Sequence, residues 1–177
     1  MTASRPRRAF VATCLGAAAL PALAARGEAP VGVGDVAVLN AMLAIELETL
    51  AAYRRAASCG LLVPAAQDLA ARCAADHRAH RELLVATIRA LGGMPVDAPQ
   101  AHPDDAATFA READALDLAA RCERFAASAY LAMVPALRDR GLAKLAARVA
   151  ADEAMHWGMV NAALGRPPPG AALSFGA

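Results

Sequence analysis

The sequence predicts an all-α protein, an antiparallel four-helix bundle built from two helical hairpins joined by one long crossover. Three observations predict it. The 177-residue chain is 58% hydrophobic but only 4% aromatic, and much of that apolar share is alanine, the residue with the highest helix propensity. Apolar residues recur three or four apart over four stretches, each closed by glycine or proline. The connections between those stretches run short, long, short. The length suits one domain with a proper core. Sparse β-branched and aromatic residues argue against a sandwich or barrel, and high apolar content with low net charge excludes a disordered chain. With 18 Lys+Arg against 17 Asp+Glu, there is no basic footprint for nucleic acid.

Residues 1–25 are expected to be an export signal. Arg5, Arg7 and Arg8 precede a run without charge from Ala9 to Ala25. The run ends in the small residues Ala22, Leu23 and Ala24, which suit a signal peptidase. Broken by Pro21, it is short for a transmembrane helix, so no stable membrane span is expected after cleavage. Arg7 and Arg8 with Phe10 look like a twin-arginine signal. Pro6 stands where Ser or Thr is usual, which leaves the general secretory route as the alternative. The expected location is periplasmic. Cleavage removes three of the 18 basic residues and none of the 17 acidic ones, leaving a mature chain near −2. Cys59, Cys73 and Cys122 remain, with no C-x-x-C pair; buried packing and at most one bridge are expected.

The first helix is expected from about Gly34 to Ser58, closed at Gly60. The second spans about Ala65 to Leu91, entered from Pro64 and closed by Gly92 and Gly93. The third runs from about Ala113 to Arg138, with a kink at Pro135. The fourth covers about Gly141 to Leu164 and stops at Gly165, so the bundle occupies 34–165 and a Pro/Gly-rich tail 166–177. Short turns make each pair an antiparallel hairpin. The roughly 20 residues between Gly92 and Glu112 are too many for an ordinary loop in a compact domain but enough to run the length of a bundle.

Each apolar stripe has an ionisable group at its centre. In the first helix the stripe is Leu39, Leu43, Glu46, Leu50 and Tyr53. In the second it is Leu69, Cys73, His77, His80, Leu84, Ile88 and Leu91. The third carries Leu116, Ala119, Glu123, Ala127, Tyr130, Val134 and Leu137. The fourth repeats Leu142, Val149, His156 and Ala163, with Ala146, Glu153 and Val160 beside them. The hairpins also repeat each other. Glu46 and Glu123 each stand seven residues before a tyrosine. Asp76, His77 and His80 align with Asp152, Glu153 and His156, and the Glu46–His80 and Glu123–His156 separations are 34 and 33 residues.

Unpaired buried carboxylates cost several kcal/mol each, and a metal cation removes that cost because carboxylate and imidazole are its ligands. Glu153 and His156, three apart, share one helix face and can bind one ion. The candidate metal ligands are therefore Glu46, His77, His80, Glu123, Glu153 and His156. Five other residues are set aside. Glu48 lies off the stripe, His102 falls in the crossover, and Met155 and Trp157 read as packing. Asp76 points about 100° around its helix from His77 and is a poor substitute ligand.

The chain resembles the ferritin-like superfamily, in particular exported bacterial ferritin-like domain proteins, over roughly Asp35 to Gly165. The residues that carry the resemblance are Leu39, Asn40 and Ala41 through Glu46 to Tyr53, then His77 to His80 leading to Gly92 and Gly93. Glu123 with Tyr130 and the run Asp152 to Trp157 complete it. The resemblance implies Glu46 and Glu123 as single-glutamate ligands, Glu153 as a bridge, and His80 and His156 as terminal imidazoles. The resemblance further implies iron, as a di-iron pair, with manganese as an alternative, and a homodimer as the assembly to look for. Read from their own places on the stripes, Tyr53 and Tyr130 would fill the core and hydrogen-bond the ligand carboxylates. One position departs from the pattern: His77 stands where a second bridging glutamate belongs. Three carboxylates and three histidines leave the site one negative charge short, so a mononuclear site, a mixed pair or a softer divalent ion such as zinc comes into view. The expected function is an oxidase or peroxide scavenger using iron or manganese. The alternative is a non-catalytic bundle with a degenerate site.

Overall fold

A computed structural model describes residues 33–97 and 108–167. The expected export signal, His102 and the tail beyond Pro167 lie outside the described residues. Four helices appear in order: α1 (Val33–Ser58), α2 (Pro64–Ala90), α3 (Glu112–Met133) and α4 (Arg140–Ala163). The longest, at 27 residues, extends about 40 Å.

Cross-helix hydrogen bonds define the topology. Tyr53 of α1 reaches Glu123 of α3, and Tyr130 of α3 reaches Glu46 of α1. Pairing the early part of one helix with the late part of the other makes α1 and α3 antiparallel. His80 with Asp152, and His156 with Asp76, place α2 and α4 in the same relation. The crossover is anchored at opposite ends of the bundle. Where it leaves α2, Asn40 donates to the Met94 carbonyl (3.0 Å) and accepts from the Val96 N–H (2.9 Å). Where it enters α3, the Glu112 carboxylate takes the Val63 N–H at 2.8 Å, beside the α1–α2 turn. The described ends of the connection therefore lie at opposite ends of the bundle.

Local chemistry fixes the helix ends. The Gly92 N–H bonds the Arg89 carbonyl and the Gly93 N–H the Ile88 carbonyl. Gly92 sits at φ +77°, a conformation that costs an L-residue about 1 kcal/mol or more. Gly93 cannot carry a side chain without moving its neighbour, since an added Cβ would lie 2.6 Å from Val36 Cγ1. The third helix departs from expectation. It does not continue to Arg138 with a kink; α3 ends at Met133, a single 3-10 turn follows at Val134–Ala136, and Leu137 is extended. Proline at 135 has no N–H to offer the helical ladder and crowds the preceding turn, so the helix stops. Leu137 stays buried all the same. The buried Asp35 carboxylate holds this corner, accepting the N–H groups of Arg138 (2.8 Å) and Asp139 (3.1 Å). Asp139 in turn caps α4 by accepting the Leu142 N–H at 2.9 Å.

Two apolar clusters flank the middle of the bundle. One gathers Leu39, Leu43, Leu84, Ile88 and Val149, and the other Ala66, Ala70, Leu116, Ala119 and Val160. The predicted stripes fill these clusters except towards their ends: Leu91 and Ala163 are exposed, and Leu69, Val134 and Leu142 half-buried. Helix ends fray from the core because no neighbour reaches past them. Residues 34–58 of α1 are long and apolar enough to cross a membrane, yet this helix lies inside the bundle with Glu46 fully buried on its core face. Cys73 is buried and Cys59 and Cys122 half-buried; among the described residues no disulfide joins them.

Candidate metal centre

Between the two apolar clusters lies a polar layer. Glu46, His77, Glu123, Glu153 and His156 are 0% exposed and His80 is 8% exposed. All six candidates named from the sequence thus meet at one level, contributed by all four helices. Matched register in two antiparallel hairpins puts them there.

His77 lies at the middle. Its Nδ1 is 2.8 Å from Glu46 Oε2 and its Nε2 is 3.1 Å from Glu123 Oε1. The second oxygen of Glu46 accepts the Tyr130 hydroxyl at 2.5 Å, and Glu123 Oε1 also accepts the Tyr53 hydroxyl. Both tyrosines thus brace the glutamate of the opposite hairpin, as their places on the stripes suggested. Burial, then the glutamate beside each, pushes both phenols well above their ordinary value and keeps them protonated as donors.

His80 and His156 are held from outside. His80 turns Nε2 to Asp152 Oδ2 (3.3 Å), and His156 turns Nε2 to Asp76 Oδ2 (3.1 Å). A carboxylate oxygen accepts, so each Nε2 carries a proton and each Nδ1 faces the interior. From the sequence Asp76 was set aside as a ligand, and neither it nor Asp152 was given a role. Asp76 does point away from His77 on its own helix, but α4 brings His156 to it. The signal was present in the pairing of Asp76 with Asp152 in the internal repeat.

The inward atoms do not satisfy one another. His80 Nδ1, His156 Nδ1, Glu123 Oε2 and both oxygens of Glu153 are buried without a hydrogen-bond partner. They are nevertheless close: His80 Nδ1 is 3.1 Å from Glu153 Oε1, and His156 Nδ1 lies 3.5 Å from Glu123 Oε2 and 3.6 Å from Glu153 Oε2. Donors about 2.1 Å from a common ion are separated by about 3.0 Å in an octahedral and about 3.4 Å in a tetrahedral shell. Native interiors rarely leave one such group unpartnered, and five in one layer fit a cation. Two groups of four side chains have donor atoms mutually within 4.8 Å: Glu46, His77, His80 and Glu153, and His77, Glu123, Glu153 and His156.

Without a cation the layer is a set of mutually perturbed charges. Burial alone would depress the imidazoles, but the carboxylates beside them outweigh it. They hold His77 and His80 at about 10 and His156 at about 11. For Glu46 and Glu123 burial opposes ionisation, yet the neighbouring imidazoles win and hold both below the ordinary value. Glu153 goes the other way, raised by its burial.

Comparisons with known proteins bear on the fold that carries this layer. Residues 34–166 match the family described as the ferritin-like domain. Among solved structures, a conserved hypothetical protein from Mycobacterium tuberculosis is similar, with 27% identity and a TM-score of 0.68 over 80% of this chain and 97% of that one. Another, from Bacillus anthracis strain Ames, is described as one of the ferritin-like, diiron-carboxylate proteins. It shares 19% identity and a TM-score of 0.66 over 77% of this chain and 99% of that one, a likeness of fold. No curated protein sequence matches. With three quarters of its length inside the family match and the four-helix architecture the family name implies, the chain belongs to the ferritin-like domain family.

Proposed function

We propose that the protein is an exported metal-binding member of this family, whose bundle core holds first-row transition ions through Glu46, His77, His80, Glu123, Glu153 and His156. The observation that carries the reading is the set of five buried donor atoms left without hydrogen-bond partners at ligand-to-ligand spacing. Iron leads by likeness to the diiron-carboxylate fold, with manganese and zinc as alternatives. A redox-active ion held there would supply electron exchange with dioxygen or peroxide, which makes an oxidase or peroxide scavenger the activity to assay.

The chain's own contributions follow from the contacts. Tyr53, Tyr130, Asp76 and Asp152 fix the orientation of the ligands and hold the His80 and His156 tautomers with Nδ1 inward. The flanking apolar clusters exclude water and keep the charges strong. Export belongs to the same proposal and rests on the arginines and the uncharged stretch of residues 1–25.

A second reading has one observation in its favour. His77, hydrogen-bonded to Glu46 and Glu123 at once, neutralises part of the layer without any ion, as a non-catalytic bundle would require. Metal analysis of mature protein purified without chelator separates the two. The proposal expects up to two ions per chain, lost in the Glu46→Ala/Glu123→Ala double variant. No bound metal, after purification and after incubation with iron(II), manganese(II) or zinc(II), supports the second reading.

A further inference from the structure

His77 carries more information than its departure from a glutamate suggests. The six side chains divide into two donor sets related by the internal repeat. In one, Glu46 Oε2 lies 2.8 Å from His77 Nδ1 and 3.7 Å from His80 Nδ1, which is 3.1 Å from Glu153 Oε1. In the other, His77 Nε2 lies 3.1 Å from Glu123 Oε1 and 3.6 Å from Glu153 Oε2. His156 Nδ1 closes that set at 3.5 Å from Glu123 Oε2 and 3.6 Å from Glu153 Oε2. Each set offers two nitrogens and two carboxylates, with edges scattered about the roughly 3.4 Å of a tetrahedral shell. The repeat exchanges Glu46 with Glu123 and His80 with His156. It also exchanges His77 with Glu153, the two residues common to both sets, and each gives one atom to each.

The two ring nitrogens of an imidazole point away from each other, so they cannot chelate one ion. We infer that His77 bridges two divalent cations, through Nδ1 to the ion held by Glu46 and His80 and through Nε2 to the ion held by Glu123 and His156, with Glu153 as the second bridge. The inference rests on the metal-binding reading above and specifies its stoichiometry, bridge and metal class. A ring coordinated through both nitrogens has released both of its protons to solvent and carries one negative charge. That charge replaces the one missing when His77 is counted as a neutral ligand. With three carboxylates it balances two divalent ions, and two-nitrogen, two-oxygen shells suit zinc(II). A neutral imidazole is a poor bridge, and an imidazolate is a good one.

The test is zinc(II) titration of the mature, metal-free protein labelled with nitrogen-15 in its histidine rings. The expected result is two zinc ions per chain. One ring should show both nitrogens at metal-bound shifts and no ring N–H, while His80 and His156 each keep one N–H towards Asp152 and Asp76. His77→Ala should remove that ring's pair of resonances and lower the stoichiometry. Should this variant fail to fold, the wild-type spectrum still decides. A zinc-saturated protein in which every ring retains an N–H, or which binds a single ion, overturns the bridge and leaves metal binding standing. No zinc uptake overturns the bridge, and metal binding falls with it only if iron(II) and manganese(II) also fail to bind.

Discussion

The behaviour of the polar layer depends on what each titratable atom faces. In metal-free protein the three buried imidazoles are held at about 10 to 11, against an ordinary value of 6.5. A raised imidazole contributes its stability in full below its unfolded value and loses it as the pH climbs through the folded one. Glu46 and Glu123, held below 4.5, contribute above that value and lose it as the pH falls. Glu153, raised by burial, favours the acid side and opposes them in part. The chelated protein is therefore expected to melt highest at about pH 5 to 6.5 and lower at about pH 10. An equal or higher melting temperature at the alkaline end would contradict this balance. Metal affinity should run the other way and rise with pH, because binding displaces those protons. Asp76 and Asp152 give a second prediction at this scale. Both are about half exposed, so Asp76→Asn or Asp152→Asn should weaken metal binding by about 10-fold, the low end of what such outer partners contribute. Calorimetric titration reads it, and unchanged affinity would mean that the aspartates do not orient the imidazoles. All six inward residues were legible in the sequence because matched stripes and an internal repeat fix them. The aspartates were not, since helix periodicity tells where Asp76 leaves its own helix and not that His156 arrives from another.

Among the elements, the corner between α3 and α4 shows how a buried charge can serve structure alone. Asp35 is 1% exposed and accepts two backbone N–H groups that no helix satisfies. Asp35→Ala should cost about 1–3 kcal/mol in urea unfolding of the metal-free protein, since two backbone donors lose their carboxylate acceptor. It should leave zinc stoichiometry unchanged, because Asp35 lies three turns from Glu46. A loss below about 0.5 kcal/mol would show that water replaces the carboxylate readily. Three of the helices begin and end within a residue or two of their expected limits, since glycine and proline punctuate them. The third was expected five residues too long. Its apolar spacing persists to Leu137, and Leu137 is buried, but proline ends the helix and an extended residue delivers that side chain to the core. Apolar periodicity records burial, and burial does not require a helix.

For the molecule as a whole, two apolar clusters enclose one polar layer, and the fold is expected to gain stability from whatever neutralises that layer. A ligand at 100 times its dissociation constant adds about 2.7 kcal/mol to folding stability. Saturating zinc(II) or manganese(II) should therefore raise the melting temperature by several degrees, and the Glu46→Ala/Glu123→Ala variant should not respond. A similar rise in the variant would place binding elsewhere. That the connection leaves and enters at opposite ends of the bundle was legible, because its length exceeds any ordinary loop. The bridging geometry at His77 was not, because a sequence shows that an imidazole replaces a carboxylate but not that its two nitrogens face different donor sets. The most direct measurement is anomalous diffraction from crystals of the mature protein grown with zinc(II) or manganese(II). The account predicts metal peaks inside the bundle, bounded by Glu46, His80 and Glu153 on one side of His77 and by Glu123, His156 and Glu153 on the other. Peaks confined to the surface, with His77 still hydrogen-bonded to Glu46 and Glu123, would contradict it.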